Sequence, residues 1–130
     1  MRKFISISLS VVLLSACAGG PLKSMGMKES KAQHMLAIGL EDYEDGKFSD
    51  AMRSIQGALD LGLEPVDQIR AHKHLAFIQC VSGREKLCRE EFRKTLEVNP
   101  WFDLSPAEAG HPVWGPVFRS VKAKKTDLKK

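Results

Sequence analysis

The sequence predicts an all-α fold: two antiparallel helix pairs stacked as a short α-solenoid and closed by a C-terminal capping helix. Three observations carry this reading. Shifting the chain by 37 positions brings Met35 onto His72, Ile38 onto Leu75, Gly39 onto Ala76, Gly46 onto Gly83, Ala51 onto Cys88, Ile55 onto Phe92 and Ala58 onto Thr95, so small falls on small and large on large. Self-similarity at such a period marks repeated helical pairs. In both copies an apolar-periodic segment ends at a glycine, suited to the left-handed residue after a helix, and a second segment begins just beyond it. After Pro112, the residues Val113, Trp114, Val117, Phe118 and Val121 recur at helical spacing.

In chain order, the pattern places helices near 30–45, 49–61, 66–81 and 85–98. Ser30 with Gln33 resembles a capping box at the first, and Pro65 suits the start of the third. Gly62 and Asn99 are the natural stops of the second and fourth. The small residues Gly39, Ala51, Ala58 and their counterparts Ala76, Cys88, Thr95 allow close approach within each pair, while Ile55 and Phe92 wedge between pairs. This arrangement resembles the tetratricopeptide repeat (TPR) over Ser30 to Pro100. The second copy matches at Leu75, Ala76, Cys88, Phe92, Thr95 and Pro100; the first has Leu63 where the proline is expected, with Pro65 nearby. His72 and Gln79 stand where the family commonly has aromatic residues, so the repeats are degenerate.

Two repeats leave an apolar face uncovered at each end. Residues 101–121 are the expected cover of the second. The stretch Asn99 to Pro106 cannot form a regular helix, and Pro116 falls early in the helix that follows, where its cost is smallest. Trp101, Phe102, Leu104 and Trp114 are expected to pack on the last repeat as a capping core; an aromatic ligand groove is the alternative.

The N-terminus carries a separate signal. Arg2 and Lys3 precede an apolar run from Phe4 to Leu14, too short to span a bilayer, that ends in Leu14-Ser15-Ala16-Cys17. This resembles the lipobox of bacterial lipoproteins. The resemblance implies a signal peptide over 1–16, a covalent lipid (diacylglyceryl and palmitate-type acyl groups) on Cys17 as the one prosthetic group, and a membrane anchor without a spanning helix. Ala18 after the lipidated cysteine implies the outer membrane, periplasmic face, with surface exposure left open. Residues 17–29 read as the lipidated cysteine and a flexible Gly- and Pro-containing tether, 30–121 as the TPR-like domain, and 122–130 as a basic tail.

Charge is unevenly placed. The formal net charge is +4, of which Arg2 and Lys3 belong to the signal. Between Ile38 and Gln68, eight acids face only Lys47 and Arg53, whereas Pro112 to Lys130 has six bases against Asp127. Compartment and modest charge argue against a nucleic-acid partner. Cys80 and Cys88 remain as an even pair in an oxidising compartment and lie opposite each other across the turn at Ser82-Gly83-Arg84. A structural disulfide is expected, with two buried thiols or a redox-active pair as alternatives. His34, His72, His74 and His111 lack metal-ligand spacing, and the acids Glu41, Asp42, Glu44 and Asp45 lack the pattern of a calcium loop. No metal site and no catalytic constellation is expected, hence no enzyme.

The TPR resemblance implies a concave groove for a partner protein, lined by His34, Leu36, Ala37, Leu40 and Tyr43 in the first repeat and by Lys73, His74 and Phe77 in the second. The expected function is a lipid-anchored periplasmic scaffold in the assembly of an envelope or secretion complex, such as a type VI secretion accessory lipoprotein or a pilotin. The alternative is envelope maintenance, with the basic tail (Lys122, Lys124, Lys125, Lys129, Lys130) held on anionic lipid or peptidoglycan.

Overall fold

The computed structural model describes residues 29–128. The expected signal peptide, the lipidation site Cys17 and most of the tether lie outside that range. Six helices follow one another: α1 (Lys31–Glu44), α2 (Phe48–Leu61), α3 (Pro65–Val81), α4 (Glu85–Val98), α5 (Pro106–Ala109) and α6 (Trp114–Asp127). They form a short TPR-like solenoid in which α1 pairs with α2, α3 with α4, and α6 lies over the second pair.

The helix ends follow from the residues. The Gln33 amide donates to Ser30 Oγ (3.1 Å) and the Ser30 amide donates to Gln33 Oε1 (3.0 Å), closing a reciprocal capping box. The two intra-pair turns are near copies. Gly46 and Gly83 both have φ of +75°, a conformation that only glycine adopts cheaply. Lys47 donates to the Asp42 carbonyl (2.8 Å) and Arg84 to the Gln79 carbonyl (2.9 Å), so the same orphan carbonyl is satisfied in each repeat. Pro65 opens α3, where its missing N–H costs nothing.

Within the pairs, small residues set the spacing. A Cβ on Gly39 would lie 2.6 Å from Ile55 Cγ1, so α1 and α2 touch almost backbone to side chain there. Ala51, Ile55, Ala58, Ala76, Cys88, Phe92 and Thr95 are fully buried. The Thr95 hydroxyl donates to the Glu91 carbonyl (3.0 Å), which satisfies the one polar group among them. Leu36, Ile55, Leu75 and Ile78 centre the first core; Phe77, Phe92, Leu96 and Phe118 centre the second, and Tyr43 packs against both. Each buried large apolar side chain contributes about 1.5–3 kcal/mol. Helix α3 shows little one-sided patterning because it contacts α1, α2, α4 and α6.

The cap differs from expectation in three respects. Ser105 and Glu108 form a second capping box that starts the short helix α5, which the pattern does not reveal. Helix α6 runs on to Asp127, so Lys122, Lys124 and Lys125 are helical and not a separate tail. Trp101 is 88% exposed and does not join the capping core. Its amide donates to Asn99 Oδ1 (3.0 Å) in a turn that aims the indole outward, and Phe102 and Leu104 make the return into the core.

Candidate functional site

The first helices of the two pairs, α1 and α3, flank a cavity of about 250 Å³ that is open to solvent. Its floor is Leu36, Ala37 and Leu40; its rim is Glu29, Gln33, Asp67 and Arg70. The i, i+3, i+4, i+7 spacing of Gln33, Leu36, Ala37 and Leu40 puts them on one side of α1. The rim is tied together: Gln33 Nε2 donates to Asp67 Oδ2 (3.3 Å), and Arg70 pairs with Asp67 Oδ1 (3.2 Å). Gln33 and Arg70 are 37 residues apart, equivalent positions of the two repeats, which is the signal in the sequence that could have located them.

Beside this cavity most of the remaining expected groove residues take a different part. Tyr43, His74, Phe77 and Trp114 form a continuous aromatic seam. The Tyr43 and His74 rings lie edge to face at 5.0 Å, His74 and Phe77 at 5.8 Å, and Phe77 stacks on Trp114 at 4.2 Å. His111 also stacks on Trp114, at 3.3 Å with the planes 5° apart. The indole N–H donates to the Glu108 carbonyl (2.8 Å), and Lys73 Nζ donates to Glu108 Oε1 (2.6 Å). The seam locks α5 and α6 onto the repeats.

Phe77 is only 2% exposed, because α4 and α6 cover the side of α3 that would face a groove in an uncapped pair. Leu36 is equally buried, presenting only an edge to the cavity floor. Neither is an exposed groove residue. His34 is exposed but lies on the far side of α1 from Leu36 and Leu40. Of the eight positions, Leu36, Ala37 and Leu40 meet at the cavity, Tyr43, Lys73, His74 and Phe77 belong to the seam, and His34 joins neither.

Electrostatics within the seam is settled by burial and close partners. Burial pulls the His74 imidazole below its ordinary value and outweighs the upward pull of the Arg70 carbonyl; Lys73 adds to the lowering. The neutral ring therefore keeps its proton on Nδ1, which donates to that carbonyl at 2.7 Å. Burial also raises the Tyr43 phenol, helped by the charges of Glu44 and Glu108. For Glu108, burial pushes upward, but the bonds from Lys73 and Ser105 win and hold the carboxyl low.

Cys80 and Cys88 are joined through their sulfurs, with Cα atoms 5.1 Å apart, across the α3–α4 turn. His72 Nδ1 lies 2.7 Å from Glu91 Oε2 in a partly buried contact between α3 and α4, where Lys94 also reaches Glu91 at 2.8 Å. Helix folding thus gives His72 a carboxylate neighbour that its local spacing conceals. Among the described residues no group of three or more His, Cys, Asp or Glu side chains is placed to hold a metal ion. No helix among them is long and apolar enough to cross a membrane. Two of the C-terminal lysines are engaged within the cap: Lys122 pairs with Asp103 at 2.7 Å, and Lys125 donates to the Leu96 carbonyl.

The chain is similar to the photosystem I assembly protein Ycf3 of two Synechococcus strains, 32% identical over 62 residues in strain CC9902 and 34% identical over 62 residues in strain CC9605. Each match covers 48% of this chain and 36% of the relative, so the chain spans little more than a third of the length of the curated relatives it matches. No protein-family model matches, and no solved structure matches.

Proposed function

We propose that this protein is a non-enzymatic, lipid-anchored scaffold that holds a partner protein during assembly of a membrane-associated complex, using the α1–α3 cavity as its contact. The observation that carries the reading is that cavity: an apolar floor with an amide, two carboxylates and a guanidinium on its rim. Such a lining takes one apolar side chain of a partner and hydrogen-bonds the backbone around it, without groups for chemistry. The likeness to a photosystem I assembly protein supports the same role. The lipobox resemblance supplies the location, through a lipid on Cys17 at the periplasmic face of the outer membrane, and an envelope or secretion complex as the assembly served. No cofactor besides that lipid and no nucleic acid takes part.

Affinity purification from envelopes, followed by mass spectrometry, tests this reading with three forms of the full chain. The unaltered form is expected to enrich the components of one complex; Cys17→Ala is expected to lose them by leaving the membrane; Leu40→Arg is expected to lose them while keeping its membrane attachment and helicity. Phe77→Arg is not a test of binding, because that side chain is core. Full recovery of the same components with Leu40→Arg would reject the cavity as the contact.

A further inference from the structure

A larger opening lies at the other end of the solenoid. Helix α6 rests on α3 and α4 much as α3 rests on α1 and α2, which gives it the place of the first helix of a third pair. Among the described residues the outer flanks of α4 and α6 enclose a groove of about 530 Å³. Two helical stripes line it: Lys86, Glu90, Arg93 and Glu97 along α4, and Val121, Lys124 and Leu128 along the end of α6. Stripes of this spacing on neighbouring helices form the seat of a further helix. Five lysine and arginine side chains face two glutamates around it, and Leu128 is 88% exposed.

The opposite end of the molecule carries the complement. Along the outer side of α1 and its C-cap, His34, Ile38, Glu41 and Asp45 follow the same 4-3-4 spacing as the α4 stripe, and Asp45 also pairs with Lys47 at 2.8 Å. Ile38 is 42% exposed in its middle. From Lys31 to Leu61 there are six acids against three bases, whereas α6 has four bases against Asp127. We infer that the groove between α4 and α6 receives the outer face of α1 from a second copy of this chain, head to tail. Ile38 seats between Val121 and Leu128, and Glu41 and Asp45 face Lys86 and Lys124. A symmetric pairing of α6 on α6 would bring like charges together, which is strongly disfavoured. The contact is therefore heterologous and extends to a third and fourth copy.

The test is cross-linking of the full chain in the bacterial cells that express it, with a thiol-specific bismaleimide and the unaltered chain as background. Ile38→Cys combined with Leu128→Cys is expected to give a ladder of dimers, trimers and larger products; either substitution alone is expected to give none above background. Lys86→Glu/Lys124→Glu and Glu41→Lys/Asp45→Lys, each in the double-cysteine chain, should lower the cross-linked fraction by about tenfold. Co-expression of the two reversed forms should restore it, a recovery that unfolded variants would not give. Absence of any ladder, a dimer from Ile38→Cys alone, indifference to charge reversal, or cross-linking only to a different protein would each overturn the inference.

Discussion

Gly39 and Gly57 sit in the same helix pair, and the same substitution at each should move stability in opposite directions. Replacing a helical glycine by alanine gains about 1 kcal/mol from helix propensity alone. At Gly39 the new Cβ would meet Ile55 Cγ1 at 2.6 Å, the Ile55 amide nitrogen at 3.0 Å and the Ala51 carbonyl oxygen at 3.2 Å. Two of these are backbone atoms and Ile55 is fully buried, so relief requires α1 and α2 to separate. Overpacking of that kind costs about 1–3 kcal/mol, and the contact with backbone puts this case toward the upper part of that range. The net expectation for Gly39→Ala is a loss of about 1–2 kcal/mol. At Gly57 the Cβ would meet Met35 Sδ at 2.7 Å, with the next atom at 3.7 Å. Met35 is only partly buried and its thioether can swing aside, so most of the propensity gain survives. Gly57→Ala should stabilise by about 0.5–1 kcal/mol. Urea unfolding followed by far-ultraviolet circular dichroism reads both, and the midpoints should move apart with unchanged slope. Equal shifts, or a more stable Gly39→Ala, would show that helix spacing in this pair is not set at Gly39.

Four further outcomes are expected. Phe92→Ala, which removes a fully buried ring in contact with Phe77 and Phe118, should cost about 3–5 kcal/mol in the same urea assay. Trp114→Ala should lower the melting temperature by several degrees because the indole is stacked and hydrogen-bonded, whereas Trp101→Ala should change stability by less than about 0.5 kcal/mol. Reducing the Cys80–Cys88 bond, which closes a loop of separation 8, should cost about 2–3 kcal/mol, seen as a lower midpoint in the presence of reductant. His74 has its folded value held below 6.5, so its contribution is complete above that pH and is lost as the pH falls and the buried ring takes a proton. Glu108 and Glu91, both held below 4.5, add a second loss as the pH falls below that value. Melting temperatures from pH 7 to pH 3 should therefore decline in two stages, and His74→Gln should flatten the first.

The repeats were legible because their constraints are local and occur twice. A glycine with positive φ at Gly46 has to recur at Gly83, and a small residue where Gly39 meets Ile55 has to recur where Ala76 lies in the second core. The end of the solenoid was legible only in part. The spacing of Val117, Phe118 and Val121 announces a helix, but nothing in the order of residues says that it covers Phe77, so an apparently exposed position of α3 is core. Trp101 misleads for the converse reason: a large aromatic next to a proline looks like cap, and only the turn at Asn99 decides that the ring points away. At the candidate site, Leu40 and Ala37 follow from the TPR resemblance, which implies a groove lined by the first helix of each pair. The polar rim depends on Asp67 and Arg70 from another helix, and its only trace in the sequence is the equivalence of Gln33 and Arg70 across the repeat.

The covalent link across the α3–α4 turn acts on the chain before it is folded as well as after. With Cys80 tied to Cys88, the second hairpin stays closed in the denatured ensemble, and the search for its native contacts is confined to a few residues. The α1–α2 hairpin has a turn of the same shape but no such tie among the described residues. Folding of the oxidised chain should therefore nucleate at α3–α4, with α6 and the first pair condensing onto it, while the reduced chain lacks that bias. A difference of one bond thus gives two similar modules an order of formation.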